Sequence, residues 1–169
     1  EQNGMFYEYD GQNLYAVRRS STTQVPGTVA AVFNSNVLNG TNTKFTDHLS
    51  AGDKIVVRGQ SYKVTRVVSD VIIDIQPKYR GVNSSGVIVT KTEDTRVQQS
   101  NWTIDTADGN GPSGFSLDIN AIQMAYIDYS WYGAGKIRFG FKETNGHVKY
   151  MHEFIHNNRL NEAYMRTGN

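Results

Sequence analysis

The sequence predicts an all-β protein, and three observations carry the prediction. Short runs rich in Val, Ile, Thr and Tyr alternate with turn residues, sixteen glycines among them. No segment sustains the apolar period of an amphipathic helix. Asn145-Gly146 lies between two alternating runs, the strongest short-range mark of a hairpin. The expected architecture is a discontinuous antiparallel β-sandwich, jelly-roll-like, with an inserted small β-barrel.

The elements follow in order. Residues 5–9 and 14–19 flank Asp10-Gly11-Gln12-Asn13, which predicts a hairpin with a glycine-bearing loop. Pro26-Gly27 opens a strand at 28–32, after which residues 39–46 form a polar turn cluster with Phe45 as its one apolar anchor. Residues 49–53 turn into a strand at 54–58, Gly59-Gln60 turns into 61–68, and a strand at 71–75 ends at Pro77. Strands so closely spaced suffice for a barrel of their own, with 87–90 leading the chain out. Residues 27–89 are therefore read as an inserted small β-barrel domain, and residues 1–26 and 90–169 as the discontinuous β-sandwich domain. The later half of the sandwich holds a short run at 101–104, a Gly-Asn-Gly-Pro loop at 109–112 and one helical turn after Asp118. A long aromatic strand at 123–132 is broken by Gly133-Ala134-Gly135, and the final hairpin follows.

The second arm of that hairpin runs into His152-Glu153-Phe154-Ile155-His156, a literal H-E-x-x-H. On a helix this pattern sets two imidazoles on one face around a zinc ion, with the glutamate as general base. A strand dismantles it. With alternation continued, Val148, Tyr150, His152, Phe154 and His156 share one face, while Lys149, Met151, Glu153 and Ile155 share the other. Histidines four apart on an extended chain are separated by about 13 Å, too far to ligate one ion. No long helix has room between Gly146 and Asn157-Asn158, and Glu162 is the one nearby downstream carboxylate. The expectation is no catalytic residue, no bound metal and no cofactor, with a zinc hydrolase through His152, Glu153 and His156 as the alternative should the segment be helical.

Composition narrows the remaining classes. A chain of 169 residues can bury a core as one domain or two small ones. Seventeen basic residues against sixteen acidic ones leave no nucleic-acid footprint. No apolar run approaches a membrane span and no signal peptide is visible, so membrane insertion is not expected. The absence of cysteine excludes a disulfide framework and thiol chemistry. Residue 1 is Glu rather than Met, as expected of a piece of a longer chain.

Four stretches resemble segments of large structural proteins in the virions of tailed bacteriophages. They are Phe6-Tyr7-Glu8-Tyr9-Asp10-Gly11, Leu14-Tyr15-Ala16-Val17-Arg18-Arg19-Ser20-Ser21, Asp128-Tyr129-Ser130-Trp131-Tyr132-Gly133-Ala134-Gly135 and Glu162-Ala163-Tyr164-Met165-Arg166-Thr167-Gly168-Asn169. The stretch from Gly40-Thr41-Asn42-Thr43-Lys44-Phe45-Thr46 through Gly52-Asp53-Lys54-Ile55-Val56-Val57-Arg58-Gly59 is similar to a small β module of phage tail and fibre proteins. The resemblance implies a non-enzymatic structural component located in the virion, in tail, baseplate, fibre or head. It also implies assembly with other virion proteins as a homo-oligomer.

Other constellations have a functional and a structural interpretation each. Tyr126, Tyr129, Trp131 and Tyr132 form a candidate ligand or interface platform, on which a host-surface glycan would stack its apolar ring faces. Aromatics at strand spacing are more commonly core or interface filling. Arg18 and Arg19 are neighbours on a strand and point to opposite faces, which argues against a shared anion site. Asp105, Asp108 and Asp118 lie near glycines and offer calcium-type oxygen ligands, but capping of turns is the commoner use. A symmetric trimer would be needed to bring His147, His152 or His156 of three copies to an axial metal. The N-x-Ser/Thr triplets at Asn39, Asn83 and Asn101 are not expected to be glycosylated in a phage protein.

Overall fold

The computed structural model describes residues 2–130, 133–157, 159 and 163–165. The protein is all-β and antiparallel, and the chain separates into two compact units. One comprises residues 1–3 and 19–93, the other residues 4–18 and 94–169. Among the described residues ten strands build them: β1 (Gly4–Tyr9), β2 (Leu14–Ala31), β3 (Val37–Thr41), β4 (Lys54–Val57), β5 (Gln60–Ser69), β6 (Ile72–Gln76), β7 (Ser84–Gln98), β8 (Ala125–Tyr129), β9 (Lys136–Lys142) and β10 (Val148–Ile155). A single helical turn, α1, spans Phe45–His48.

The unit boundaries fall at 3/4, 18/19 and 93/94, the last two outside the 27–89 segment marked by turn residues in the sequence. The physical reason is that β2 and β7 are long continuous strands, each contributing to both units, so no turn marks the change. Pro26-Gly27 does not start a new strand. Gly27 instead lets β2 pass close to a neighbouring turn: its φ is +81°, and a Cβ there would lie 2.6 Å from the carbonyl oxygens of Thr41 and Asn42.

In the barrel unit the strand order is β2-β3-β6-β5-β4-β7, and β7 pairs again with β2, closing the ring. Closure removes the free edges that an open sheet would present. Alternation turns Val25, Val29, Leu38, Ile55, Val57, Val64, Ile73 and Ile75 inward to one apolar core. Phe45, the lone apolar residue of its polar cluster, plugs that core from α1 and is fully buried.

In the sandwich unit β8, β9 and β10 form a sheet in the order β10-β9-β8. Ile137, Phe139 and Phe141 of β9 pack with Leu14 and Ala16 of β2, Met5 and Tyr7 of β1, Val97 of β7 and Trp102. Tyr7 sits at the centre, stacked on Phe141 at 5.0 Å and edge-on to Phe139 at 5.2 Å. The final hairpin turns at Glu143-Thr144-Asn145-Gly146, where the Gly146 N–H donates to Glu143 O (2.9 Å) and Gly146 supplies the positive φ. The run at 101–104 follows a 3-10 turn, Gln99–Asn101, and the expected helical turn after Asp118 is a reverse turn in which Asp118 caps Asn120 N–H. The 123–132 strand is shorter than its aromatic run, ending at Tyr129.

Candidate functional site

The H-E-x-x-H segment lies on β10 and the residue that follows it, extended as expected. The face assignment is corrected by a β-bulge. Tyr150 pairs with Gly140 and His152 with Phe139, so Met151 is an extra residue between them. A bulge resets the alternation. Val148 and Tyr150 therefore lie on the outer face of the sheet, whereas His152 and Phe154 pair with the core residues Phe139 and Ile137. Met151 is also buried, and Ile104 and Asp105 donate their N–H groups to its carbonyl.

His152 is 3% exposed and packs edge-on to Phe154 with centroids 4.6 Å apart. Its Nδ1 accepts from Thr103 N–H (3.3 Å) and lies 3.2 Å from the Thr103 hydroxyl, while its Nε2 is buried with no hydrogen-bond partner. Burial pushes its pKa down to about 4, with the Glu153 charge opposing weakly. Glu153 points to the outer face and pairs with Lys136 at 3.0 Å. His156 is 7% exposed and stacks on Tyr164 at 4.2 Å. Its Nε2 accepts from the Arg18 guanidinium (2.7 Å) and its Nδ1 donates to Gly135 O (3.1 Å), the arrangement of a neutral ring. Burial, and then the Arg18 charge, lower its pKa. Thus each member of the motif has a separate structural partner. Among the described residues no group of three His, Cys, Asp or Glu side chains is placed to hold a metal ion. Rings as enclosed as His152 and His156 do not reach a symmetry axis either, although His147 is exposed.

Tyr126 pairs with Gly140 and Tyr129 with Ile137, so these two tyrosines stand on opposite faces of β8 and make no common platform. Trp131 and Tyr132, like Glu162, lie outside the described residues. Tyr126 instead joins an outer-face cluster with Tyr150 (6.4 Å, edge-on), whose ring carries the Arg138 guanidinium at 4.2 Å. Asp128 accepts from both Arg138 and the Tyr150 hydroxyl.

The three aspartates act within turns. Burial alone would raise the Asp105 carboxyl, but hydrogen bonds from Ser113 and Ala107 hold it below the usual carboxylate range. Asp108 and Asp118 cap the N–H groups of Asn110 and Asn120, each at 2.9 Å. Arg18 is committed to His156 and Thr95.

Two surface features escape the sequence. Beyond the Asp118 turn, Ile119, Ile122 and Met124 are exposed, Ile122 completely, and they lead directly into β8, the terminal strand of its sheet. A shallow groove of 690 Å³ runs from Phe115 and Met124 to Lys142 and Thr144 beside them. A separate polar cleft of 380 Å³ lies where Gln12 and Asn13 meet Gln98 and Gln99. Gln98 and Asn13 are 85 positions apart, so only the strand pairing brings their amides together. Among the described residues no helix is long and apolar enough to cross a membrane. The chain matches no protein-family model, no curated protein and no solved structure.

Proposed function

We propose that this chain is a non-enzymatic structural component of a bacteriophage virion, working by assembly with copies of itself and with other virion proteins. The observation that carries the proposal is the exposed apolar segment Ile119, Ile122 and Met124 beside the terminal strand β8. Apolar side chains presented together next to a strand edge are costly to leave in water, and a neighbouring subunit covers both at once. The distribution of its would-be catalytic residues supports the same reading: His152 and His156 are spent on packing and Glu153 on an ion pair. The resemblance of five stretches to phage structural proteins supplies the virion context.

Locating the chain in a density map of intact particles, together with mass spectrometry of those particles, tests the proposal. A fixed copy number with residues 119–129 against a neighbour is the expected result. Absence from purified particles would overturn it. In solution, Ile122→Glu is expected to abolish self-association while leaving the circular dichroism spectrum unchanged.

A further inference from the structure

The polar cleft is a second feature of the sandwich unit, sharing only Ile119 with the exposed apolar segment, and its chemistry selects a ligand class. Three chain segments wall it: the β1–β2 turn with Gln12 and Asn13, the end of β7 with Gln98 and Gln99, and the loop carrying Asp108 and Leu117. The walls are fixed by their own hydrogen bonds. Gln98 Nε2 donates to Asn13 Oδ1 at 2.7 Å, and Gln99 Nε2 donates to Thr106 O at 2.9 Å. Asp108 and Leu117 face the cleft from a loop tied by Gly109 N–H to Phe115 O (3.0 Å) and Leu117 N–H to Ala107 O (2.9 Å).

These bonds leave Oε1 of Gln98 and Oε1 of Gln99 as acceptors, the Asn13 amide nitrogen and the second Gln98 N–H as donors, and the part of the Asp108 carboxylate that Asn110 and Thr106 do not occupy. Gln12, whose side chain is unengaged at the rim, presents both a donor and an acceptor. A ligand filling the cleft must therefore bring both donors and acceptors, as a hydroxyl does. Among the described lining residues there is no Lys, Arg or His, so nothing answers a phosphate or carboxylate. The single carboxylate falls short of the oxygen set a divalent cation takes. A wholly apolar ligand would leave the amide oxygens dry and unpaired. A neutral polyhydroxylated ring satisfies the cleft, with hydroxyls on the amides and C–H faces against Leu117 and Ile119. At 380 Å³ the space sits at the small end of the about 300–1,000 Å³ typical of small-molecule sites.

We infer that this cleft binds a neutral pyranose sugar, free or as one residue of a glycan, through Gln12, Gln98, Gln99 and Asp108. The inference stands apart from the assembly proposal and from the Trp131 and Tyr132 platform.

The test is a titration of the full chain, followed by amide NMR, with methyl α-D-glucopyranoside, methyl β-D-galactopyranoside and the methyl glycoside of N-acetylglucosamine. The tripeptide Gly-Ser-Gly is the non-sugar control. Saturable shifts confined to residues 9–14, 98–100 and 106–119 with at least one glycoside in the millimolar range are expected. Gln12→Ala and Asp108→Asn should each weaken binding about three- to tenfold, the loss of one hydrogen bond. Asn at 108 retains an oxygen to cap Asn110, and the one hydrogen bond of residue 12, from its backbone N–H to Asp10, survives the change to Ala, so both variants should keep the wild-type spectrum. Repeating the titration with oligomers of the bound sugar separates the sources, because a gain in affinity identifies a glycan chain and no gain identifies a terminal or free sugar. Absence of shifts with all three glycosides, shifts with the tripeptide alone, or unchanged titrations in both variants would overturn the inference.

Discussion

The barrel and the sandwich solve burial differently. The barrel closes its hydrogen-bond ring and fills it mostly with aliphatic side chains, with Phe45, Tyr62 and Tyr79 as its aromatic members, and its buried Ser, Thr, Asn and charged residues among those described are limited to Asn3, Ser20, Ser21 and Thr43. The sandwich packs aromatic rings and also buries Asp105, His152 and His156. A closed ring leaves strand edges satisfied and needs only shape from its side chains. The open three-stranded sheet of the sandwich leaves ends and a bulge, and the polar groups there must be answered by side chains, as Thr103 answers His152 and Arg18 answers His156. The consequence is that sensitivity to pH and the candidate binding features concentrate in the sandwich.

The strongest test of this contrast removes one core side chain from each unit. Phe139→Ala takes away the ring that contacts Tyr7 and Phe154 and is expected to cost about 3–5 kcal/mol; Leu38→Ala in the barrel should cost about 2–5 kcal/mol. Hydrogen exchange should localise the damage, to β9 and β10 in the first variant and to β3 and β6 in the second. If both variants open the same amides, the two units unfold as one and the contrast ends at packing style.

Acid sharpens the comparison next. In the unfolded chain His152 takes up a proton near pH 6.5, while burial holds it neutral in the fold down to about pH 4. Between those values the unfolded state binds the more protons. The contribution of this group is therefore complete above about pH 6.5, falls as the pH drops, and is lost in full below about pH 4, a difference of about 3 kcal/mol. His156, shifted the same way, adds to the slope. Urea midpoints at about pH 7.5 and pH 4.5 should differ clearly in the native chain and much less in His152→Phe. An unchanged slope in that variant would mean His152 does not control it.

A backbone contact probes both units at comparable strength. A Cβ on Gly140 would meet Lys149 O at 2.5 Å in the sandwich, and one on Gly27 would meet Asn42 O at 2.6 Å in the barrel. Each Gly→Ala change is expected to cost about 1–3 kcal/mol, and Gly27→Ala the more because its φ is positive. Thermal melts of the two single variants give the ranking directly; a reversed order would place the tighter backbone in the sandwich.

The sequence made the barrel core legible for a simple reason. Runs such as Lys54-Ile55-Val56-Val57 and Val71-Ile72-Ile73-Asp74-Ile75 are short, β-branched and bounded by turn residues, a local signal of strand, and in the fold their burial alternates. A local signal could also turn H-E-x-x-H into a strand, because the hairpin turn and the alternation lie next to it. The bulge at Met151 was not legible, since an extra residue is chosen by the cross-strand partners Phe139 and Gly140 rather than by neighbours in sequence. The unit boundaries and the amide cleft share that obstacle. Two long strands cross the first without punctuation, and residues 85 positions apart build the second.

The smallest expected effect settles the motif itself. Glu153 and Lys136 form an exposed cross-strand pair on the outer face, and pairs of that kind contribute about 0–1 kcal/mol. Glu153→Gln keeps the side-chain shape and should therefore move the melting midpoint hardly at all, within about 0.5 kcal/mol. A zinc ligand set would respond differently, because a metal bound to the folded state raises its stability by mass action. Added zinc is expected to leave the melting temperature of the native chain and of Glu153→Gln unchanged, since His152 Nδ1 is engaged by Thr103 and His156 Nε2 by Arg18. A zinc-dependent rise in the native chain that disappears in His152→Phe would show that β10 can rearrange to present the motif, and that the sandwich holds chemistry its packing conceals.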